Sequence, residues 1–265
     1  MDLSLLYAQP FALAFTGLLV GLIVGITGVG GGSLMTPALV GFFGIRPAFA
    51  VGTDLVFAAV TKAVGTGAHG RRGAVRWRLA GVLIAGSLPA CLAALAWLHF
   101  AGHAAASAGG VLRWAIAVSL SLTVVALLWK EKLLAWRRRT PGLDLSPRGR
   151  MVATLLASAL IGALVALSSI GAGAVGCVAI ALIHPELDTR EVAATDIAYA
   201  VPLTTVAGIG HALAGNVDVA LLGLLLAGSI PGILLGARLS AKLADRTSRR
   251  ALAAVLLLAA VKTVN

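Results

Sequence analysis

Charge is scarce in this chain. Only 12% of its 265 residues are charged and 59% are hydrophobic, against about 25% charged in a typical soluble domain. With a mean hydropathy of +0.99, the chain has too little polar surface to cover a water-soluble globule. Apolar runs such as Leu79–Leu98 and Val219–Ala237 call for lipid around them. There are two cysteines, Cys91 and Cys177, both inside apolar runs. That placement argues against a disulfide framework and reads as small packing residues. The sequence has no His-Glu-x-x-His, no Gly-x-Ser-x-Gly and no Cys/His ligand set. Zinc-protease and serine-hydrolase chemistry therefore have no motif to rest on, and no enzyme activity, metal or cofactor is expected.

What charge exists is lopsided. The net charge of +11 is concentrated in Arg71–Arg78, Lys130–Arg150 and Arg238–Arg250. Short basic loops beside apolar spans are the positive-inside signal, so lipid, and not nucleic acid, is the expected partner. The first apolar run lacks a basic flank and continues into a glycine cluster, so it is not expected to be a secretory signal.

The chain also repeats itself. Thr53–Pro89 matches Thr195–Pro231 at an offset of 142 residues, with 14 of 37 positions identical. The matched pairs include Thr53/Thr195, Asp54/Asp196, His69/His211, Gly86/Gly228, Ser87/Ser229 and Pro89/Pro231. A gap-free match of that density marks an internal duplication. Ten apolar segments follow, at about 11–28, 30–44, 50–68, 79–99 and 111–129, then 151–170, 172–184, 195–213, 217–237 and 250–264. The expected organisation is a first transmembrane repeat (1–129), a basic cytoplasmic linker (130–150) and a second repeat (151–265). Segments 79–99, 111–129, 195–213 and 217–237 reach the roughly 20 residues that a crossing needs. Segments 30–44 and 172–184 are short, and each follows a glycine cluster.

Gly17, Gly21 and Gly25 lie four apart on one helix face, as close helix packing requires. The Gly28–Gly32 cluster is different, because four glycines in five residues do not favour a continuous helix. The matching run Ser169-Ile170-Gly171-Ala172-Gly173 lies at an offset of 141. Both are expected to be broken or re-entrant helices, whose backbone must be buried in protein or line a wet cavity. With the N-terminus outside, all three basic clusters fall in the cytoplasm. Arg76 and Arg78 of the first copy become Asp218 and Ala220 in the second. Opposed loop charge in otherwise matched segments is what inverted-topology repeats require. The predicted fold class is therefore an all-α polytopic membrane protein with two inverted repeats.

Charged residues inside spans are costly and need a reason. On the segment starting near Ala50, Lys62 and His69 fall within about 20° of each other at about 100° per residue, and Asp54 within about 80° of both. Lys62, twelve residues in, sits at about mid-membrane depth. The second copy has Asp196 and His211, with Thr204 where Lys62 would be. Each acid follows a threonine near an expected helix start, so capping of the helix is the competing role. Free backbone amides at the breaks, with Lys62, favour an anionic substrate. Gly30, Gly31, Gly32, Ser33, Thr53, Lys62, Gly171, Gly173 and Thr195 are the candidate anion-binding residues. Asp54, His69, Asp196 and His211 are the candidates for proton coupling.

The run Gly21-Leu-Ile-Val-Gly25-Ile-Thr-Gly28-Val-Gly30-Gly-Gly-Ser-Leu-Met-Thr-Pro37 resembles the TauE/SafE family of sulfite and organosulfonate exporters, also called the toluene-sulfonate uptake permease group. So do Gly44-Ile-Arg-Pro47-Ala-Phe-Ala-Val-Gly52-Thr53, Ala194-Thr195-Asp196 and the Gly-Ser-Leu/Ile-Pro run in both copies. The resemblance extends from Phe11 to Leu258. It implies a multi-pass secondary transporter of the bacterial inner membrane, acting on sulfite, sulfonates or related small organic anions. Asp54 and Asp196 depart from the family's more usual Gly-Thr-Ser pattern, which makes proton coupling more plausible. The expected function is alternating-access transport of a small anion, with a passive anion channel as the alternative and a homo-oligomer left open.

Overall fold

A computed structural model describes residues 10–27, 32–70, 74–101, 105–139 and 145–240. Among them the chain is helical, without strands. The helices are α1 (Pro10–Thr27), α2 (Gly32–Gly41), α3 (Pro47–Gly70), α4 (Trp77–Ala101), α5 (Ala105–Arg139), α6 (Pro147–Ser168), α7 (Ala174–Ile183), α8 (Thr189–Leu213) and α9 (Val219–Ser240). The expected segment at 250–264 lies outside the described residues. α5 continues to Arg139, so the basic stretch expected as a linker begins as helix.

Local chemistry explains the helix boundaries. Pro10, Pro47 and Pro147 open helices, where a missing N–H costs no hydrogen bond. Ser146 caps α6 by accepting from the Gly149 amide at 3.1 Å. Asp188 and Glu191 form a reciprocal capping box at the start of α8, with bonds of 2.7 and 3.1 Å. Asp218 accepts from the Ala220 and Leu221 amides, both at 3.0 Å, at the start of α9. Pro37, Pro89, Pro202 and Pro231 stand inside helices.

Five helices among the described residues are long and apolar enough to cross a membrane: Trp77–Phe100, Gly110–Arg137, Pro147–Ser168, Thr189–Leu213 and Val219–Gly236. Their outer faces are apolar, with Trp114 70% and Leu156 67% exposed. Side chains of that size left bare on a helix bundle fit lipid, not water. α2 and α7 have ten residues each, or about 15 Å at 1.5 Å per residue, half of a hydrocarbon core about 30 Å thick. α7 brings the chain back to the end where α6 began, since Thr154 Oγ1 meets His184 Nε2 at 3.0 Å. Arg150 also pairs with Glu186 at 3.0 Å.

Helix pairing follows the sequence repeat. α1 packs most extensively on α9, α4 on α6, and α3 on α8. Under the offset of 141–142 residues, the α1–α9 pair maps onto the α6–α4 pair, and the α3–α8 pair maps onto itself. The contacts match residue by residue. A Cβ on Gly21 would lie 2.4 Å from the Ser229 carbonyl oxygen, and one on its counterpart Gly162 2.2 Å from that of Ser87. One on Gly228 would lie 1.9 Å from the Ala14 oxygen, and one on Gly86 2.5 Å from that of Leu155. The repeated Gly-Ser-x-Pro run therefore lets each half's fourth long segment lie backbone to backbone against the first helix of the other half. Gly17 and Gly21 are interface residues, as their spacing predicted.

α3 and α8 run antiparallel at the centre. Gly52 abuts Asn216 and His211, while Gly208 abuts Val56. The Thr195 hydroxyl, near the start of α8, accepts the Arg76 amide, just past the end of α3.

Candidate functional site

The buried polar residues converge where α3 and α8 pass α2 and α7. Asp54 and Asp196 are 0% and 2% exposed, and Lys62 is 6% exposed. Neither acid caps its own helix, because α3 begins at Pro47 and α8 has its own cap in Asp188. The sequence suggested capping because Thr-Asp stood near the first apolar residue, but each helix starts seven residues earlier, in Pro47-Ala-Phe and Thr189-Arg-Glu.

The carboxylates turn instead toward the short helices. Asp54 Oδ2 accepts from the Thr36 hydroxyl at 2.6 Å and from the Thr36 amide at 3.2 Å. The Ser169 hydroxyl lies beside the same carboxylate. Asp196 faces the start of α7, against the Gly173 amide and the Cys177 thiol. The Tyr199 hydroxyl, from its own helix, is a further neighbour. A Cβ on Gly176 would lie 2.0 Å from Asp196 Oδ1, so glycine makes room for this carboxylate. Thr36 and Cys177 correspond at the offset of 141, as Phe57 and Tyr199 do at 142. Asp54 Oδ1, Ser169 Oγ, Asp196 Oδ1 and the Tyr199 oxygen are buried without a hydrogen bond of ordinary geometry, and each retains capacity to bond.

Lys62 reaches across to the other repeat. Its ammonium donates to the Ala172 carbonyl at 3.1 Å, and its charge is felt by Asp196 and Asp54. That carbonyl lies in the break between α6 and α7, where Ser169 has φ 60°, Gly171 137° and Gly173 138°. The two glycine angles are strained for any residue with a Cβ. The second break is thus a stretch of non-helical backbone, buried in protein. In the first copy α1 ends at Thr27 and α2 begins at Gly32; Gly30 and Gly31 lie outside the described residues, as do the side chains of Ser33 and His69.

Thr53 and Thr195 have matching partners. The Thr53 hydroxyl accepts from the Asp218 amide at 3.1 Å and that of Thr195 from the Arg76 amide at 3.0 Å. Each threonine ties its helix to the start of a long helix in the other half. Buried His211 bonds through Nε2 to the Ala166 carbonyl at 2.9 Å. It also lines an open cleft of about 830 Å³ with Leu95, His99, Leu213 and Asn216. At the opposite end Arg76 pairs with Glu191 at 2.5 Å. Among the described residues no three His, Cys, Asp or Glu side chains converge as a metal site would.

Thr36, Ser169, Cys177, Tyr199 and the Ala172 carbonyl are site groups that sequence reasoning did not select. Superposing the copies at 141 would have placed Thr36 opposite Cys177, but the pair is not identical.

Lipid-facing helices around a buried, charged centre at a broken helix define a multi-pass membrane transporter. The chain belongs to the sulfite exporter TauE/SafE family, whose model matches residues 13–263. It is 34% identical over 250 residues to the "Probable membrane transporter protein YjnA" of Bacillus subtilis (strain 168), covering 94% of this chain and 97% of that protein. No solved structure matches it.

Proposed function

We propose that the protein is a secondary transporter of the bacterial inner membrane. It moves a small anion, a sulfur oxyanion or sulfonate, by alternating access coupled to protons. The observation that carries this reading is Lys62: a buried ammonium from one repeat, bonded to the broken backbone of the other and flanked by two buried acids. A charge so placed is expensive unless it serves a passing ion. Lys62 and the backbone amides of Gly30, Gly31, Gly32, Ser33, Gly171 and Gly173 hold the anion, with Thr53 and Thr195 contributing their hydroxyl hydrogens. Asp54, Asp196, His69 and His211 carry the protons. The family's description as sulfite exporters supports the substrate class.

The exchanged helix partners and the antiparallel α3–α8 pair support an inverted repeat. The N-terminus is outside. Arg76, Glu191, Arg150 and Glu186 gather at the cytoplasmic end, and Asp218, His99 and His211 at the outer end.

The test is uptake into proteoliposomes of sulfite, thiosulfate, sulfoacetate, taurine and a carboxylate, with and without a pH gradient. Accumulation of a sulfur anion above its outside concentration is expected, abolished by a protonophore. Flux that only equilibrates the anion means a passive channel.

A further inference from the structure

We propose that the Ala172–Gly173 peptide couples the Lys62 ammonium to the Asp196 carboxylate, so that an anion at Lys62 and a proton at Asp196 enter the site together. The inference rests on the anion-transport reading and names the acid that does the coupling.

The carbonyl of this peptide accepts from Lys62 at 3.1 Å. Its amide belongs to Gly173 and lies against Asp196. A trans peptide presents its C=O and N–H on opposite sides. One peptide unit therefore stands between the cation of the first repeat and the acid of the second. Gly171 and Gly173, at φ 137° and 138°, set its orientation. A side chain at either position would disturb it.

Asp196 also has the weaker side-chain donor, the Cys177 thiol, where Asp54 has the Thr36 hydroxyl. Asp54 Oδ2 receives two donors from Thr36, and an oxygen accepting two donors is fixed as an acceptor. The groups facing Asp196 are Lys62 on α3, Cys177 on α7, Lys130 at longer range on α5, and Tyr199 on α8; Asp54 faces Lys62 from α3. Asp54 Oδ1, Asp196 Oδ1 and the Tyr199 oxygen are all buried without ordinary hydrogen bonds, so what selects Asp196 is its place against the Gly173 amide of this peptide.

Charge counting gives the reason for coupling. Two carboxylates and one ammonium sum to −1. A monovalent anion alone makes the buried centre −2, which a membrane interior strongly disfavours. One proton from solvent on Asp196 restores −1, so the loaded and empty centres carry the same charge. Lys62 then exchanges the Ala172 carbonyl for the anion.

The experiment uses the purified full chain and methanesulfonate, whose single negative charge is fixed at working pH. Binding in weakly buffered solution with a pH indicator should take up about one proton per anion, from the charge count. Asp196→Asn should bind without proton uptake, and its affinity should lose its pH dependence. Asp54→Asn should bind more weakly and still take up the proton. Proton uptake retained in Asp196→Asn, or lost in Asp54→Asn, overturns the assignment. Wild-type protein that binds none of methanesulfonate, sulfite and thiosulfate overturns the anion reading beneath it. If Asp196→Asn is not monodisperse on gel filtration, Tyr199→Phe replaces it. Removing that hydroxyl should move the pH midpoint of binding, and an unmoved midpoint counts against Asp196.

Discussion

In the first half Thr36 gives Asp54 a hydroxyl and a backbone amide. In the second, Cys177 occupies the corresponding place and gives Asp196 a thiol, a much weaker donor. A similar divergence separates Lys62, which crosses to the other repeat, from Thr204, whose hydroxyl bonds its own helix at the Ala200 carbonyl, 2.8 Å away. Duplication kept the acids at matching positions, each seven residues into its helix, and let their surroundings differ. Two identical acids on a two-fold axis would bind a proton or a cation with no preference between halves. The observed centre has one acid held by a hydroxyl and an amide of Thr36, one facing a thiol and one cation, so its two halves are not equivalent.

Three experiments probe that comparison. The largest effect is expected for Lys62→Met, which leaves two buried acids without their cation. Removing one partner of a buried pair costs about 3–5 kcal/mol, so transport in proteoliposomes should fall by at least about 100-fold. Activity near wild type would mean that the centre does not depend on its asymmetric charge. The next tests whether the two halves pack alike. Gly162→Ala and Gly228→Ala would place a methyl 2.2 and 1.9 Å from backbone oxygens. Each should lose about 1–3 kcal/mol of stability through overpacking, read as a lower melting temperature in detergent. Gly81→Ala and Gly223→Ala, a matched pair with nothing within 4 Å, should leave it unchanged. The smallest effect belongs to the threonines. Thr53→Ala and Thr195→Ala each strip one backbone amide of its acceptor, at about 1 kcal/mol, and by similar amounts if the two links are equivalent. A loss confined to Thr195→Ala would show that the Arg76 end, with its added ion pair, holds the bundle more tightly.

Much of the architecture was legible from the residues. Apolar runs located the crossings because no soluble fold could bury them. The glycines at 17 and 21 read correctly as an interface, since close helix approach excludes side chains. Gly171 and Gly173 read correctly as a break. The site was legible only in outline. Asp54, Lys62 and Asp196 stood out because charge inside a span is rare. Thr36, Tyr199 and Ser169 did not, because hydroxyl residues are common in apolar helices and their partners lie on other helices. The Ala172 carbonyl could not stand out at all, since every residue has one.

The duplicated threonines show the limit most clearly. Thr53 and Thr195 recur, and recurrence suggested substrate contact; in the fold their oxygens also accept the Asp218 and Arg76 amides, a second role that leaves their hydroxyl hydrogens to donate. Recurrence reports that a residue is needed in both halves, not for what.

By itself, then, the sequence determined that this chain is a duplicated, helical membrane protein with glycine-broken segments and a few buried charges. Those features follow from hydropathy, spacing and backbone freedom, which act locally along the chain. Which groups face those charges was decided only by the tertiary structure. Lys62 meets Ala172, 110 residues away, and a hydrogen bond depends on where a helix of the other half sets its backbone.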